Sequence, residues 1–219
     1  MKRLIIAIDG PSGAGKGTVA RAIASALGYR HVDSGAMYRA VGWQALHEAI
    51  ALEDEARVAR VAEQVRIEMI GTATSINGVD VTRAIRTPEI DRAAASVARL
   101  PAVRSVLVAR QREFAADGGI VMEGRDIGTV VFPQADVKIY LDASAEERAR
   151  RRAHDPAHHG GPEKVADVAT LLTERDRLDT TRTASPLYAA ADAVVVDTTG
   201  KQVDEVVAEV MAIVREKLA

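Results

Sequence analysis

The chain contains no cysteine. That excludes a disulfide framework, a thiolate zinc site and a thiol nucleophile, and it suits a reducing compartment such as the cytoplasm. An excess of one charge is lacking too: 29 Lys and Arg against 31 Asp and Glu leave a net charge of −2. No basic field therefore points to nucleic acid or an anionic membrane as the partner. No apolar run is long enough to span a bilayer. The opening run, Leu4 to Ile8, stops at Asp9 and reads as neither a signal peptide nor a membrane segment. Internal repeats and low-complexity tracts are also absent. What is present is an ordinary globular composition over 219 residues, enough for one core with room for an insertion.

Short β-branched runs alternate with longer stretches of helical period. The strand candidates are "RLIIAI" (3–8), "YRHVD" (29–33), "GIVME" (119–123), "VKIYLD" (137–142) and "AVVVD" (193–197). Helices are expected over Lys16 to Leu27, closed by Gly28, over Ala36 to Ile50, and from near Ala145 and near Gln202. This alternation predicts an α/β fold, a parallel five-stranded sheet flanked by helices. Sites in such folds lie at the carboxyl ends of strands, where Asp9, Asp33, Glu123 and Asp142 fall. One segment breaks the rhythm. "VRIEMIGTATSINGVDVT" (65–82) reads as antiparallel β-structure with Asn77-Gly78 as a hairpin turn, hence an inserted subdomain. From Thr87 a helical stretch, interrupted at Pro101, leads back to the core. "HDPAHHGGP" (154–162) has the Gly and Pro content of a mobile loop, and its histidines lack the carboxylate pattern of a metal site.

Gly10, Pro11, Ser12, Gly13, Ala14, Gly15 and Lys16 match the phosphate-binding P-loop, and they sit between a strand and a helix as that motif requires. Backbone N–H groups and the helix start would cradle phosphate oxygens, with Lys16 supplying charge to the outer ones. The residue after the lysine should carry a hydroxyl for magnesium, yet it is Gly17, with Thr18 only afterwards. Such a loop points away from GTPase-like switches and towards small-molecule phosphotransferases. No protein-side metal ligand is assigned; magnesium would lean on water, the nucleotide and a nearby carboxylate.

Four further stretches carry candidates, each with a plain structural alternative. In "DSGAMYRA" (33–40), Ser34 opens a helix that sets Tyr38 and Arg39 one turn in, which suits an anion or a surface arginine equally. "EGRDIGTVVFP" (123–133) delivers Arg125 and Asp126 at a strand end, as a phosphate contact beside a base or metal contact, or as a bare ion pair. In "ASAEERARRRAHD" (143–155), Glu146 can pair with Arg150 and Glu147 with Arg151. Arg148 and Arg152 share a face without such partners and are candidates to reach the transferred phosphoryl group, against a solvated charged helix. "ERDRLDTTRTASPL" (174–187) places Arg175, Asp179 and Arg182 on one helical face, fitting a phosphate and a sugar hydroxyl or a surface network.

Taken in order and spacing, "IDGPSGAGKGT", "DSGAMYRA", "IRTPEI", "EGRDIGTVVFP", "VKIYLDAS…ERARRR", "ERD…D…R…SPL" and "ADAVVVDTT" resemble the bacterial cytidylate kinase family, from about residue 3 to the C-terminus. The resemblance implies a single P-loop kinase domain over 1–219. It carries a small antiparallel β-containing NMP-binding subdomain at about 65–95 and a short lid at 149–163. It implies transfer of the γ-phosphoryl of ATP, with Mg2+, to CMP or dCMP. Gly10 to Thr18 would hold ATP. Ser34, Tyr38, Arg39, Arg104, Arg125, Asp126, Arg175, Asp179 and Arg182 would form the CMP site. Within it Arg104 and Asp126 resemble base contacts, Asp179 a ribose contact, and Arg39, Arg125 and Arg175 phosphate contacts. One departure stands out: Ala95, beside Ser96, occupies the place where the family carries a base-reading serine. A cytoplasmic monomer with small-molecule substrates, no nucleic acid and no membrane is the expectation. Two rivals remain: another small-molecule P-loop kinase, such as one acting on shikimate, and an ATP-binding switch module.

Overall fold

The computed structural model describes residues 3–155 and 165–218. The elements run β1 (Ile5–Asp9), α1 (Lys16–Leu27), β2 (Arg30–Asp33), α2 (Ser34–His47), α3 (Glu55–Gln64), β3 (Ile67–Ile70), β4 (Ala73–Ile76) and β5 (Val79–Asp80). They continue α4 (Pro88–Val97), α5 (Pro101–Glu113), β6 (Ile120–Glu123), a π-helical turn (Ile127–Val131), β7 (Val137–Asp142), α6 (Ala145–Ala153), α7 (Val165–Thr181), β8 (Val194–Asp197) and α8 (Val203–Leu218). The described residues divide into two compact units, one made of 3–33, 112–154 and 165–218, the other of 34–111 with Asp155.

The first unit is built on a five-stranded sheet in the order β2-β6-β1-β7-β8 with every neighbouring pair parallel. The α/β expectation is met. Strand β1 lies in the middle because Ile6, Ala7 and Ile8 are apolar on both faces and fully buried. Helices α1 and α8 pack their apolar residues, Val19, Ile23, Val206 and Val210 among them, onto that sheet. Each strand ends at an acidic residue: Asp9, Asp33, Glu123, Asp142 and Asp197. A line of carboxylates therefore marks the end of the sheet where the loops of a doubly wound fold carry their sites. Gly28 closes α1 in the left-handed conformation, as expected. Helices α6 and α7 share a smaller apolar cluster of Ala149, Val168 and Leu172.

The second unit holds α2, α3, α4, most of α5 and the antiparallel sheet β3-β4-β5. Asn77 and Gly78, with φ of 51° and 83°, make the expected tight turn between β4 and β5. Thr87 caps α4, Pro88 opens it, and Pro101 opens α5, so the interruption of that helical stretch is real. One helix escapes the sequence reading and another is shifted. Helix α3 follows Asp54, whose side chain caps the Arg57 N–H. Helix α2 starts at Ser34 and ends at His47, earlier at both ends than Ala36 to Ile50. The lid expected over 149–163 lies mostly outside the described residues, as do His158 and His159. Among the described residues no helix is long and apolar enough to cross a membrane.

Candidate active site

The glycine-rich loop joins β1 to α1 and so rises from the middle of the sheet. Gly10 and Gly13 are indispensable there. Gly10 adopts φ 145° and a Cβ on it would overlap the Leu141 carbonyl; Gly13 adopts φ 81° and its Cβ would come within 2.9 Å of the Arg148 Cβ. The loop is thus pressed against β7 on one side and α6 on the other. Lys16 is buried, and its Nζ donates to the Pro11 carbonyl at 2.7 Å, the lysine closing back over its own loop. Burial, then the positive charge of Arg125, lower Lys16 to about 7; Glu123, Asp9 and Asp33 act in the opposite sense.

Arg125 and Asp126 leave the end of β6 just before the π-helical turn. Arg125 Nε stands 2.9 Å from Asp179 Oδ2, Arg175 Nε 3.3 Å from the same oxygen, and Arg182 Nη1 4.0 Å from Oδ1. Arg182 Nη2 also lies 3.6 Å from Asp126 Oδ1. Burial works against ionisation of Asp179, yet the guanidiniums of Arg125, Arg175 and Arg182 hold its carboxyl below the ordinary range. Arg182 is not on the helix as the stripe predicts: α7 stops at Thr181, and Arg182 turns in from the following loop with Nε donating to the Ser185 carbonyl at 2.5 Å. The three arginines and Asp179 nonetheless converge. Arg125, Arg175 and Arg182 thus gather with Asp126 and Asp179 into one cluster of charged side chains, and guanidiniums of this kind can bind an anion. Arg125 is close enough to act on Lys16, so this cluster and the P-loop share one neighbourhood.

In the second unit, Ser34 is buried at the start of α2 and Tyr38 one turn later. The Arg104 guanidinium lies over the Tyr38 ring at 5.6 Å from its centroid. Arg39 Nε pairs with Asp91 Oδ1 at 2.9 Å, a partner from α4 that local spacing could not reveal. Ala95 is buried on α4, and the neighbouring Ser96 hydroxyl donates to its own helix at the Arg92 carbonyl, 3.3 Å away.

Helix α6 keeps the expected Glu147–Arg151 pair but departs from the expected Glu146–Arg150 one. Glu147 holds both Arg150 and Arg151, through Arg150 Nη2 at 2.8 Å and Arg151 Nε at 2.9 Å. The expectation that Arg148 lacks a carboxylate fails. It pairs with Asp176 of α7 at 2.6 Å and also donates to the Ser12 carbonyl at 3.1 Å. The partner lies 28 residues further along the chain, beyond any helical-spacing argument. Arg152, its neighbour on the helix, is half-buried. Arg151, set aside by its pairing with Glu147, donates to the Thr198 hydroxyl at 2.8 Å, and that hydroxyl donates to the Ala14 carbonyl at 3.2 Å. Thr198 and Arg151 therefore belong to the P-loop's support, and the "ADAVVVDTT" stretch was the signal. Asp9 and Glu123, flagged only as strand ends, complete the list of residues whose position the sequence under-reads.

The comparisons agree with this geometry. The cytidylate kinase family model matches residues 6–216. A cytidylate kinase of Solibacter usitatus is 46% identical over 219 residues, covering 99% of this chain and 94% of that protein. One from Desulfitobacterium hafniense is 48% identical over 220 residues, covering 99% and 95%. Among solved structures, a gluconokinase from Sinorhizobium meliloti matches with TM-score 0.50 at 18% identity, covering 96% of this chain and 92% of that one. A shikimate kinase from Bacteroides thetaiotaomicron matches with TM-score 0.50 at 10% identity, covering 98% and 99%. Those two likenesses concern the fold alone. With the P-loop, the arginine cluster and near-full-length identity pointing the same way, the chain belongs to the cytidylate kinase family.

Proposed function

We propose that this protein transfers the γ-phosphoryl group of ATP to CMP or dCMP, yielding CDP or dCDP. The observation that carries the reading is the second cationic cluster, Arg125, Arg175 and Arg182 around Asp179, beside a P-loop. A switch module needs one phosphate site; a kinase of a phosphorylated acceptor needs two. Gly10 to Thr18 hold ATP in this reading. Ser34, Tyr38, Arg39, Arg104, Arg125, Asp126, Arg175, Asp179 and Arg182 take CMP in this reading. Asp126 accepts from the cytosine amino group, Asp179 meets the ribose, and Arg125 and Arg175 meet the acceptor phosphate.

Phosphoryl transfer needs no covalent intermediate. It needs in-line positioning and positive charge over the moving group. Lys16 and Arg152 supply that charge in this reading, and Arg148 both supports the P-loop through Ser12 and contributes positive field. Exclusion of water falls to the lid, proposed over 149–163, and the NMP-binding subdomain is proposed over 65–95.

Magnesium is the cofactor the family implies, and the residues present fit it. Glu123 and Asp33 end neighbouring strands and both favour the charged form of Lys16, so carboxylate oxygens lie near the loop that lacks a hydroxyl at position 17. Bound there, the ion would neutralise charge on the phosphates. We further propose a cytoplasmic monomer. The test is a coupled assay following ADP release from ATP with and without CMP. Release that depends on CMP, with CDP recovered as product, supports the reading. ADP release indifferent to CMP overturns it.

A further inference from the structure

The π-helical turn Ile127–Val131 is pinned at both ends by ionisable side chains from elsewhere in the chain. At its start, the amides of Ile127 and Gly128 donate to the buried Asp9 carboxylate at 2.8 and 2.7 Å. Its end is closed by Arg112, the penultimate residue of α5. Arg112 Nε donates to the Val131 carbonyl at 2.9 Å and Nη2 to the Val130 carbonyl at 2.8 Å. The chain leaving the turn is held as well: buried Lys138 of β7 donates from Nζ to the Pro133 carbonyl at 2.7 Å. A carboxylate at the amide end and a guanidinium at the carbonyl end follow the polarity that the peptide dipoles favour.

A single turn of this type gains little from its own hydrogen bonds, and such turns concentrate at functional sites. Here the turn carries Asp126. The Asp126 carbonyl accepts the Val130 N–H at 2.9 Å and the Val131 N–H at 3.1 Å, so the Asp126 backbone moves with the turn. Its carboxylate lies toward Arg182, and Arg125, one residue earlier, reaches Asp179. We propose that Arg112 is a positioning residue for the choice of acceptor: by closing the carbonyl end of the turn that Asp9 closes at its amide end, it fixes where Asp126 and Arg125 stand. The inference rests on the reading of Arg125 and Asp126 as contacts to the acceptor nucleotide.

A guanidinium that only stabilised the fold would, once removed, lower the melting temperature and leave the preference among acceptors as it was. A positioning guanidinium loosens the residue that meets the base and leaves the P-loop alone. Arginine suits the task because its planar fork meets two successive carbonyls at once, which the single ammonium of a lysine does not. Arg112 is exposed, so its replacement opens no core cavity. Asp9 grips the same turn but also acts on Lys16, which makes Arg112 the more selective probe.

The test measures kcat and KM for ATP, CMP and UMP in the full chain, with the melting temperature of each variant. Arg112→Ala is expected to raise KM for CMP about tenfold while KM for ATP stays within about twofold of the native value. Its preference for CMP over UMP in kcat/KM should fall by about threefold or more. Arg112→Lys keeps the charge but serves one carbonyl at a time. It should fall between the native chain and Arg112→Ala in both readings, and it stands in should the alanine variant not fold. Arg112→Ala combined with Asp9→Asn should raise KM for CMP by less than the product of the two single effects, because both act through one turn. The proposal is overturned if Arg112→Ala shifts KM for ATP and CMP alike, or leaves the preference for CMP unchanged. Single effects that multiply in the double variant overturn it too. A native chain that phosphorylates CMP while these results go the wrong way leaves the kinase reading standing. One that releases no ADP in response to CMP overturns both.

Discussion

The carboxylate of Asp9 closes on Gly128: Oδ2 accepts the Gly128 N–H at 2.7 Å, and Oδ1 accepts that of Ile127 at 2.8 Å. An acid at the end of the central strand thus starts the π-helical turn that follows Arg125 and Asp126. Burial pushes Asp9 up to about 6 from 3.8, with the Gly128 and Ile127 bonds pulling down, Asp126 up and Lys16 down. The folded chain therefore keeps this proton over a range where the unfolded chain has lost it, and stability falls as pH rises from about 4 to about 6. The loss attributable to Asp9 is on the order of 3 kcal/mol. Urea unfolding at several pH values should show the decline in the native chain and a flatter profile in Asp9→Asn. An unchanged decline in the variant contradicts this assignment.

Lys16 carries the opposite sign. Its folded value of about 7 lies below 10.5, so the unfolded chain holds the extra proton and stability rises with pH across that window. Phosphate oxygens should recharge the lysine. Nucleotide binding at pH 8 is expected to take up about one proton, read by calorimetry in buffers of different ionisation enthalpy. Lys16→Met should abolish the uptake and cost ~2.7–4 kcal/mol in kcat, with a melting temperature at pH 6 no lower than that of the native chain, because the variant has no charge to bury. Binding without proton uptake in the native chain counts against the buried, neutral lysine.

Arg148 and Arg150 separate support from surface charge on one helix. Arg148 is buried between Asp176 and the P-loop carbonyl of Ser12, whereas Arg150 is exposed and paired with Glu147. Arg148→Ala leaves Asp176 uncompensated and should destabilise the fold by ~3–5 kcal/mol, raising KM for ATP as the loop loosens. Arg150→Ala should leave both readings unchanged. Equal losses in the two variants would contradict the difference.

The sheet was legible because its strands are short, apolar and alternate with helices, so β7 and α1 match the sequence expectation residue for residue. The Asn77-Gly78 turn was legible from its dipeptide alone. The P-loop was legible for the same reason: its glycines are a local requirement of the backbone. What spacing could not supply were long-range partners. Asp176 answers Arg148, Asp91 answers Arg39, and Asp9 caps a turn more than a hundred residues away. Arg182 misled because the helix ends one residue before it. A helical stripe and a loop that folds back give the same sequence pattern.

Base choice is expected to rest on Asp126. Cytosine offers an amino donor where uracil offers an acceptor, so a carboxylate favours the first. Ala95 provides no hydroxyl, and the Ser96 hydroxyl is spent on the Arg92 carbonyl. A neutral hydrogen bond is worth ~0.5–1.5 kcal/mol against ~1.5–3 for one to a charged group. Ala95→Ser should therefore change the ratio of kcat/KM for CMP and UMP only modestly. Asp126→Ala should lower activity on CMP and remove most of the discrimination. If both substrates fall together with the ratio intact, Asp126 serves the phosphates or metal instead.

The most direct measurement offers the protein ATP with an equimolar mixture of CMP, UMP, AMP and shikimate and resolves the phosphorylated products by anion-exchange chromatography. CDP should form first and dominate until CMP is spent. UDP, a second equivalent of ADP drawn from AMP, or shikimate phosphate forming as fast as CDP would contradict the assignment of this chain as a kinase of cytidine monophosphates.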